Sequence, residues 1–381
     1  MIGAPRARDL GIEVPGVPGR LNAITDVPGV EVGYATRIEG DGALTVGDGP
    51  IRTGVTVVLP TGRLHLGEAV PAGWFSLNGN GEMTGTTWIE EYGGLTHPIG
   101  ITNTHALGDV HRGIIDWVTS RTPVGSSSWL LPVVAETWDG YLNDIDGRHV
   151  TTAMVAAALD AAATGPLAEG SVGGGTGMNC YGYKAGTGTA SRVCSIGRRS
   201  YNLGTLMQAN FGSRRELTVL GVPVGRSFVD DNPLEETYWL SPPGAGSCIV
   251  VIATDAPLLP GQCKALARRV PLGLARTGTV GSHFSGDIFL AFSTGNRGAL
   301  NSTLVEGPGA NKLRRMDVLA WPDLDVLFEA VVQCVEESTL NALVAARTMI
   351  GRDGHRSPEL PRERLVGMLT AATAPDRAGT S

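Results

Sequence analysis

Glycine narrows most what this chain can become. It accounts for 54 of 381 residues, about twice the ~7% usual in proteins. The glycines follow no three-residue period and sit between strongly apolar runs, which excludes a collagen-like rod and a low-complexity linker. What remains is a densely packed, sheet-containing protein whose backbone turns sharply and whose segments approach closely. Apolar residues make up 42% and charged residues 18%, so a sizeable core can form, in one large domain or two ordinary ones.

Between the glycines, apolar spacing predicts a mixture of strands and helices. "GVEVGYATRI" reads as extended, "TGVTVVLP" (53–60) and "LLPVVAET" (130–137) as buried strands, and 215–225 ("RELTVLGVPVG") as another strand. The stretch 173–196 reads as glycine turns around extended pieces. In 104–120, Leu107, Val110, Ile114 and Trp117 recur at helical spacing behind a cap at Asn103 or Thr104. "TTAMVAAALDAAAT" (151–164) reads as a buried alanine-rich helix. After it come a strand at 248–254, a helix at 260–269, a strand at 286–293 and a long helix at 324–348. Clean βαβ alternation is missing, so helices packed on sheets in layers are expected. Residues 227–246 are polar, acidic and Pro-containing, and predict an exposed loop, the best linker in the chain.

Several classes of chemistry fall away. A net charge of −7 without a basic run disfavours nucleic acid as a partner. No apolar run reaches 18 residues, so no membrane span is expected. The first residues lack the apolar core of a secretory signal. Five cysteines (Cys180, Cys194, Cys248, Cys263, Cys334), odd in number and mostly in apolar surroundings, suit reduced thiols in a cytoplasm. HExxH, paired CxxC and GxxxxGK[ST] are absent, and His105 and His111 are spaced wrongly for one helical face. No metal is therefore expected, although a site built from ligands distant in sequence stays open. "GAGSC" is not a G-x-S-x-G elbow.

One junction stands out against this background. In "SPPGAGSCIVVIATDAPL" (241–258) a Pro/Gly loop meets Ser247 just before a core strand. Read alone, Ser247 is either an ordinary turn serine or a latent chain end. A serine hydroxyl can attack the preceding carbonyl when that peptide is held in a strained turn, and glycine at 246 leaves the approach open. Hydrolysis of the ester then frees an N-terminal serine, whose α-amine titrates near ~7.7–8.0 and can serve as the base for its own hydroxyl.

The surroundings of that junction carry more weight. "NAITDVPGVEVG" (22–33), "NGNGEMTGTTWIEE" (78–91), "ITNTHALG" (101–108), "VVAETWDG" (133–140), "GGGTGMNCYGYKAGTGTASR" (173–192), "QANFG" (208–212), "GSCIVVIATDAPLLP" (246–260) and "SGDIFLAFSTGN" (285–296) occur in this order. Together they closely resemble the DmpA-like peptidases, the L-aminopeptidase/D-esterase and β-peptidyl aminopeptidase family, over nearly the whole chain. The resemblance implies an α+β fold, an αββα four-layer sandwich like that of the N-terminal-nucleophile hydrolases but differently connected. It implies one catalytic domain, 1–381, cut by itself into 1–246 and 247–381. Implied too are a homo-oligomer of such heterodimers, usually four copies, no cofactor, and the removal of N-terminal residues from short peptides, amides or esters, sometimes β- or D-amino acid derivatives.

Residue by residue, the resemblance makes Ser247 the nucleophile, Gly246–Ser247 the cleavage site and Asn210 an oxyanion donor. Ser285 and Asp287 become contacts of the nucleophile and its amine. Glu136 becomes the anion that pairs with the substrate's free amine. Trp138 departs from the family, which often carries tyrosine there. An indole N–H donates but cannot accept, so the oxyanion role of that tyrosine does not transfer, and the pocket is expected to differ in shape. Asn78, Asn80 and Glu82 are expected to support the site rather than react. Lys184 is either an ammonium near the cleavage site or a solvated surface lysine. The competing readings are an acyltransferase like the ornithine acetyltransferases, which use threonine, and a non-enzymatic scaffold.

Overall fold

In a computed structural model, residues 4–122, 129–237, 240, 244–301 and 313–373 are described. The strands are β1 (Glu31–Glu39), β2 (Ile51–Leu59), β3 (Val70–Ser76), β4 (Gly94–Leu95), β5 (Ile99–Asn103), β6 (Val133–Thr137), β7 (Asn179–Cys180), β8 (Tyr183–Lys184), β9 (Thr187–Ile196), β10 (Arg199–Asn210), β11 (Gly246–Thr254) and β12 (Ser285–Ser293). The helices are α1 (Thr86–Tyr92), α2 (Leu107–Thr119), α3 (Thr152–Ala161), α4 (Pro233–Glu236), α5 (Pro260–Ala267), α6 (Val270–Arg276), α7 (Asp325–Ala345) and α8 (Arg362–Thr373).

Two large sheets form. One has the order β1-β2-β5-β6, the other β4-β3-β12-β11-β10-β9. Both are mostly antiparallel, with parallel pairs β5–β6 and β11–β12, each joined through helices. Three apolar clusters hold the layers. Val55, Val57 and Val134 of the first sheet pack against Ile114 of α2 and Leu159 of α3. Val58, Ile101 and Ala135 of that sheet meet Ile249, Val251 and Leu290 of the second. On the far side of the second sheet, Val250 and Phe289 pack with Leu266 of α5, Leu274 of α6 and Val331 of α7. The stack is helix, sheet, sheet, helix, the αββα sandwich expected.

The glycines let these layers close. A Cβ on Gly188 of β9 would stand 2.0 Å from the Ser338 carbonyl oxygen, so α7 lies on β9 at backbone distance. The 21 residues of α7 are buried almost throughout, because helix and sheet leave no room for a solvated face.

Local expectations fare unevenly. Asn103 caps the 3-10 turn Thr104–Ala106 that leads into α2, its side chain accepting from the Ala106 N–H at 2.9 Å, and α2 itself starts at Leu107 behind Ala106 without a side-chain cap. α3 is buried on one face only, through Val155, Ala158 and Leu159. The strand expected at 215–225 does not form; Arg214–Glu216 and Val224–Arg226 are 3-10 turns joined by an isolated bridge between Val219 and Val222. Pro223 lacks the N–H that would continue a ladder. The 12-residue β10 and helix α8 were not anticipated. The strand expected at 248 begins at Gly246, so Gly246 and Ser247 sit inside the sheet rather than in the turn before it. Of the loop 227–246, residues 238–239 and 241–243 lie outside the described residues. The rest is not purely exposed: Phe228 is buried, and α4 forms within it.

Candidate active site

The end of β11 is where the two sheets and the 227–246 segment meet. In register, Ser247 is opposite Asn210 of β10 and Gly286 of β12. Paired residues share a sheet face and alternate along a strand, so Ser247 and Asn210 point between the sheets, on the side of Ile249 and Val251. Ser247 is 3% exposed, and its hydroxyl donates to the Gly246 carbonyl at 2.6 Å. Only glycine fits at 246: a Cβ there would stand 1.8 Å from the Asn210 carbonyl oxygen.

A cavity of about 550 Å³ opens over Ser247. Asn80, Glu82, Glu136, Trp138, Asn210 and Phe284 contribute to its wall. Leu234, Glu235, Thr237 and Leu240, from the segment read as a linker, also line it, as do Gly244 and Ala245. The stretch just before Ser247 is thus part of the cavity wall.

The Asn210 side chain is held at both ends. Its oxygen accepts from the Asn179 N–H at 2.9 Å, and its nitrogen donates to the Trp138 carbonyl at 2.9 Å. Trp138 enters this arrangement through its backbone, which any residue supplies, while its side chain is half-buried at the cavity.

Glu136, at 2% exposure, accepts from the Glu82 N–H at 2.9 Å and from the Thr104 hydroxyl. Burial pushes its pKa up, opposed by those hydrogen bonds. The carboxylate is therefore poorly solvated, a condition that favours pairing with a cation.

Ser285 and Asp287 are placed differently. They are in register with Gly246 and Cys248, on the sheet face opposite to Ser247. Ser285 donates to Asp287 at 2.7 Å. Asn78 clamps the same carboxylate, donating from its amide at 2.7 Å and accepting the Asp287 N–H at 2.6 Å. Burial raises the Asp287 pKa, while Ser285, Asn78 and the Cys248 amide lower it. The pair lies beside the Gly246–Ser247 peptide, and neither residue hydrogen-bonds the Ser247 hydroxyl in the uncut chain.

Lys184 is not a surface residue. It is 0% exposed, donates to the Met178 carbonyl at 2.6 Å and the Ala185 carbonyl at 2.8 Å, and burial lowers its pKa to about 7. Thr104, Asn179 and Tyr141 belong to the site or its support, yet no local pattern singles them out. Their roles come from partners 31 or more residues away. Among the described residues, no group of three or more His, Cys, Asp or Glu side chains could hold a metal ion. No helix there is long and apolar enough to cross a membrane. All five cysteines are buried and unpaired.

An αββα sandwich with a buried serine at the head of a central strand, open to a cavity, defines a hydrolase of the N-terminal-nucleophile-like kind. Comparison with known proteins narrows this: the chain belongs to peptidase family S58, whose profile matches residues 22–357. It is 48% identical over 374 residues to the β-peptidyl aminopeptidase BapA of Sphingosinicella microcystinivorans, covering 96% of this chain and 92% of that protein. Among solved structures, the L-aminopeptidase D-Ala-esterase/amidase of Ochrobactrum anthropi superposes with a TM-score of 0.88 at 45% identity, covering 97% of this chain and 99% of that one. A Burkholderia sp. β-aminopeptidase gives 0.88 at 44% with the same coverage. The protein is an aminopeptidase-type hydrolase.

Proposed function

We propose that the chain cuts itself between Gly246 and Ser247 and then works as an N-terminal serine aminopeptidase and amidase. Its substrates are short peptides, amides or esters, with β-amino acid and D-amino acid derivatives included. The relatives' activities support that range. The observation that carries the reading is the Ser247 hydroxyl, buried at the cavity floor and already 2.6 Å from the carbonyl oxygen of the peptide to be cut.

In the first reaction, the Ser247 oxygen adds to the Gly246 carbonyl carbon and the C–N bond breaks. The freed nitrogen takes the proton that the Ser247 hydroxyl gives up and becomes the α-amine. Water then hydrolyses the ester, releasing the Gly246 carboxylate and restoring the hydroxyl. In the second, the amine accepts the hydroxyl proton as the oxygen attacks a substrate carbonyl, the leaving amine takes that proton, and water then hydrolyses the acyl ester on Ser247, freeing the product carboxylate and restoring the hydroxyl. Asn210 has one amide N–H committed to Trp138 and a second available for the oxyanion. Ser285 and Asp287, in register with Gly246 and Cys248, stand where the new amine emerges and orient it. Glu136 pairs with the substrate's free amine at the far side of the cavity.

The sheet topology fits a single domain that survives its own cleavage. β11 and β12, from 247–381, are bracketed by β10 and β3, from 1–246. Neither fragment can leave without breaking the sheet. We assign the mature protein to an oligomer of such heterodimers, with four copies favoured, and to the cytoplasm, where five unpaired thiols are stable.

Dividing 39.7 kDa in the ratio 246 to 135 gives fragments of about 26 and 14 kDa. Denaturing electrophoresis and N-terminal sequencing should find a chain beginning SCIVV. Ser247→Ala should stay whole and inactive. A wild-type protein that is active while intact refutes the proposal.

A further inference from the structure

Lys184 has no place in the chemistry above, yet it is buried completely, 26 positions before Asn210 in the sequence. One of its contacts reaches Asn210 through a shared peptide group. The Lys184 amine donates to the Met178 carbonyl at 2.6 Å. The N–H of that same peptide unit, on Asn179, donates to the Asn210 side-chain oxygen at 2.9 Å. A donor on one end of a peptide and an acceptor on the other polarise it in the same sense, and successive hydrogen bonds strengthen one another.

We propose that Lys184 is a positioning residue for the peptidase reaction, holding and polarising the Met178–Asn179 peptide so that the Asn210 amide presents an N–H to the oxyanion. The inference rests on the reading of Asn210 as the oxyanion donor. Two features make the contact more than packing. The second Lys184 hydrogen bond, to the Ala185 carbonyl at 2.8 Å, fixes the amine from the other side of the β7–β8 hairpin. The Asn179 side chain is itself tied down, accepting from the Ser357 hydroxyl, so the peptide has no freedom to turn away once both ends are bound. Whether charged or neutral, a lysine amine carries enough N–H groups for both carbonyls. A carboxamide can flip, and the Asn179 N–H at the Asn210 oxygen, together with the Trp138 carbonyl at its nitrogen, fixes which end carries the N–H groups.

The test is a double-mutant cycle with Lys184→Met, Asn210→Ala and their combination. It is read as kcat and KM on an aminoacyl p-nitroanilide, per mole of chain with a free Ser247 terminus. Loss of an oxyanion donor costs ~10²–10³-fold in kcat, so Asn210→Ala should fall in that range. Lys184→Met should lose roughly tenfold in kcat with KM little changed, and should cost nothing further in the Asn210→Ala background. Lys184→Gln, which keeps an N–H donor in the same space, should recover part of the loss and takes the place of Lys184→Met in the cycle if the methionine variant does not fold. Losses that multiply in the double variant, or unchanged kcat in the lysine variants, overturn the inference. An unchanged kcat in Asn210→Ala alone overturns the reading beneath it instead.

Discussion

Glu136→Gln removes a charge and very little else. One Glu136 oxygen accepts from the Glu82 N–H at 2.9 Å, and the glutamine oxygen keeps that bond. The other accepts from the Thr104 hydroxyl, which can rotate and accept from the new amide nitrogen instead. The buried polar groups therefore stay satisfied, and the fold should tolerate the change. On the proposed reading, what is lost is the anion that faces the substrate's ammonium. A hydrogen bond to a charged group contributes ~1.5–3 kcal/mol, and ~1.4 kcal/mol is tenfold in rate. Substrates with a free amine should lose roughly one to two powers of ten in kcat/KM. N-acetylated substrates, poor for the wild type, should be little changed, and self-cleavage should proceed, since neither involves a substrate ammonium. The pH dependence follows in sign. Burial raises the Glu136 pKa above its ordinary 4.5, with Glu82 adding to the rise and His105 opposing it. The carboxylate is charged above that raised pKa, so free-amine activity is present above it and lost as pH falls through it. The wild type should show this acid limb, and Glu136→Gln should lack it. Measuring kcat/KM against pH for both proteins, on a free and an acetylated aminoacyl amide, decides the matter. Equal losses on the two substrates refute the amine-binding role.

Three other outcomes are expected. Gly246→Ala places a methyl 1.8 Å from the Asn210 carbonyl oxygen and forces β10 and β11 apart; overpacking of this kind costs ~1–3 kcal/mol, so the melting temperature should fall and the two fragments should appear more slowly on a denaturing gel, and wild-type behaviour in both would contradict the packing argument. Asn78→Ala removes two hydrogen bonds from the buried Asp287; kcat should drop more than KM changes, and unaltered kinetics would separate Asp287 from the reaction. Dialysis against EDTA should leave activity intact, because among the described residues no group of ligands gathers for a metal; loss of activity restored by one divalent ion would overturn the mechanism.

Much of this protein was legible locally. The apolar run 53–60 became β2, the 3.6-residue spacing after Asn103 became α2, and the long apolar pattern at 324–348 became α7. Each signal lies within one element, where side-chain period and caps act over a few residues. The Gly-Ser junction was equally visible, because glycine before a core strand is a local oddity. Its physical reason was not: the demand for glycine at 246 comes from a carbonyl of Asn210, 36 residues earlier, brought within reach by strand pairing. The same holds for side-chain direction. Ser247 and Ser285 both read as strand-entry serines, yet the β11–β12 register turns them to opposite faces, and a one-residue slip would reverse that. Lys184 gave no local sign of burial, since a lysine in "YGYKAG" looks like a loop residue until the sheet closes around it. Composition and the order of segments decided that helices would pack on sheets in layers in a glycine-rich protein, and the αββα order was legible only through the resemblance to a known family. Pairing across long separations alone decided which hydroxyl, amide and carboxylate face one cavity, because register is a property of two strands and is written in neither.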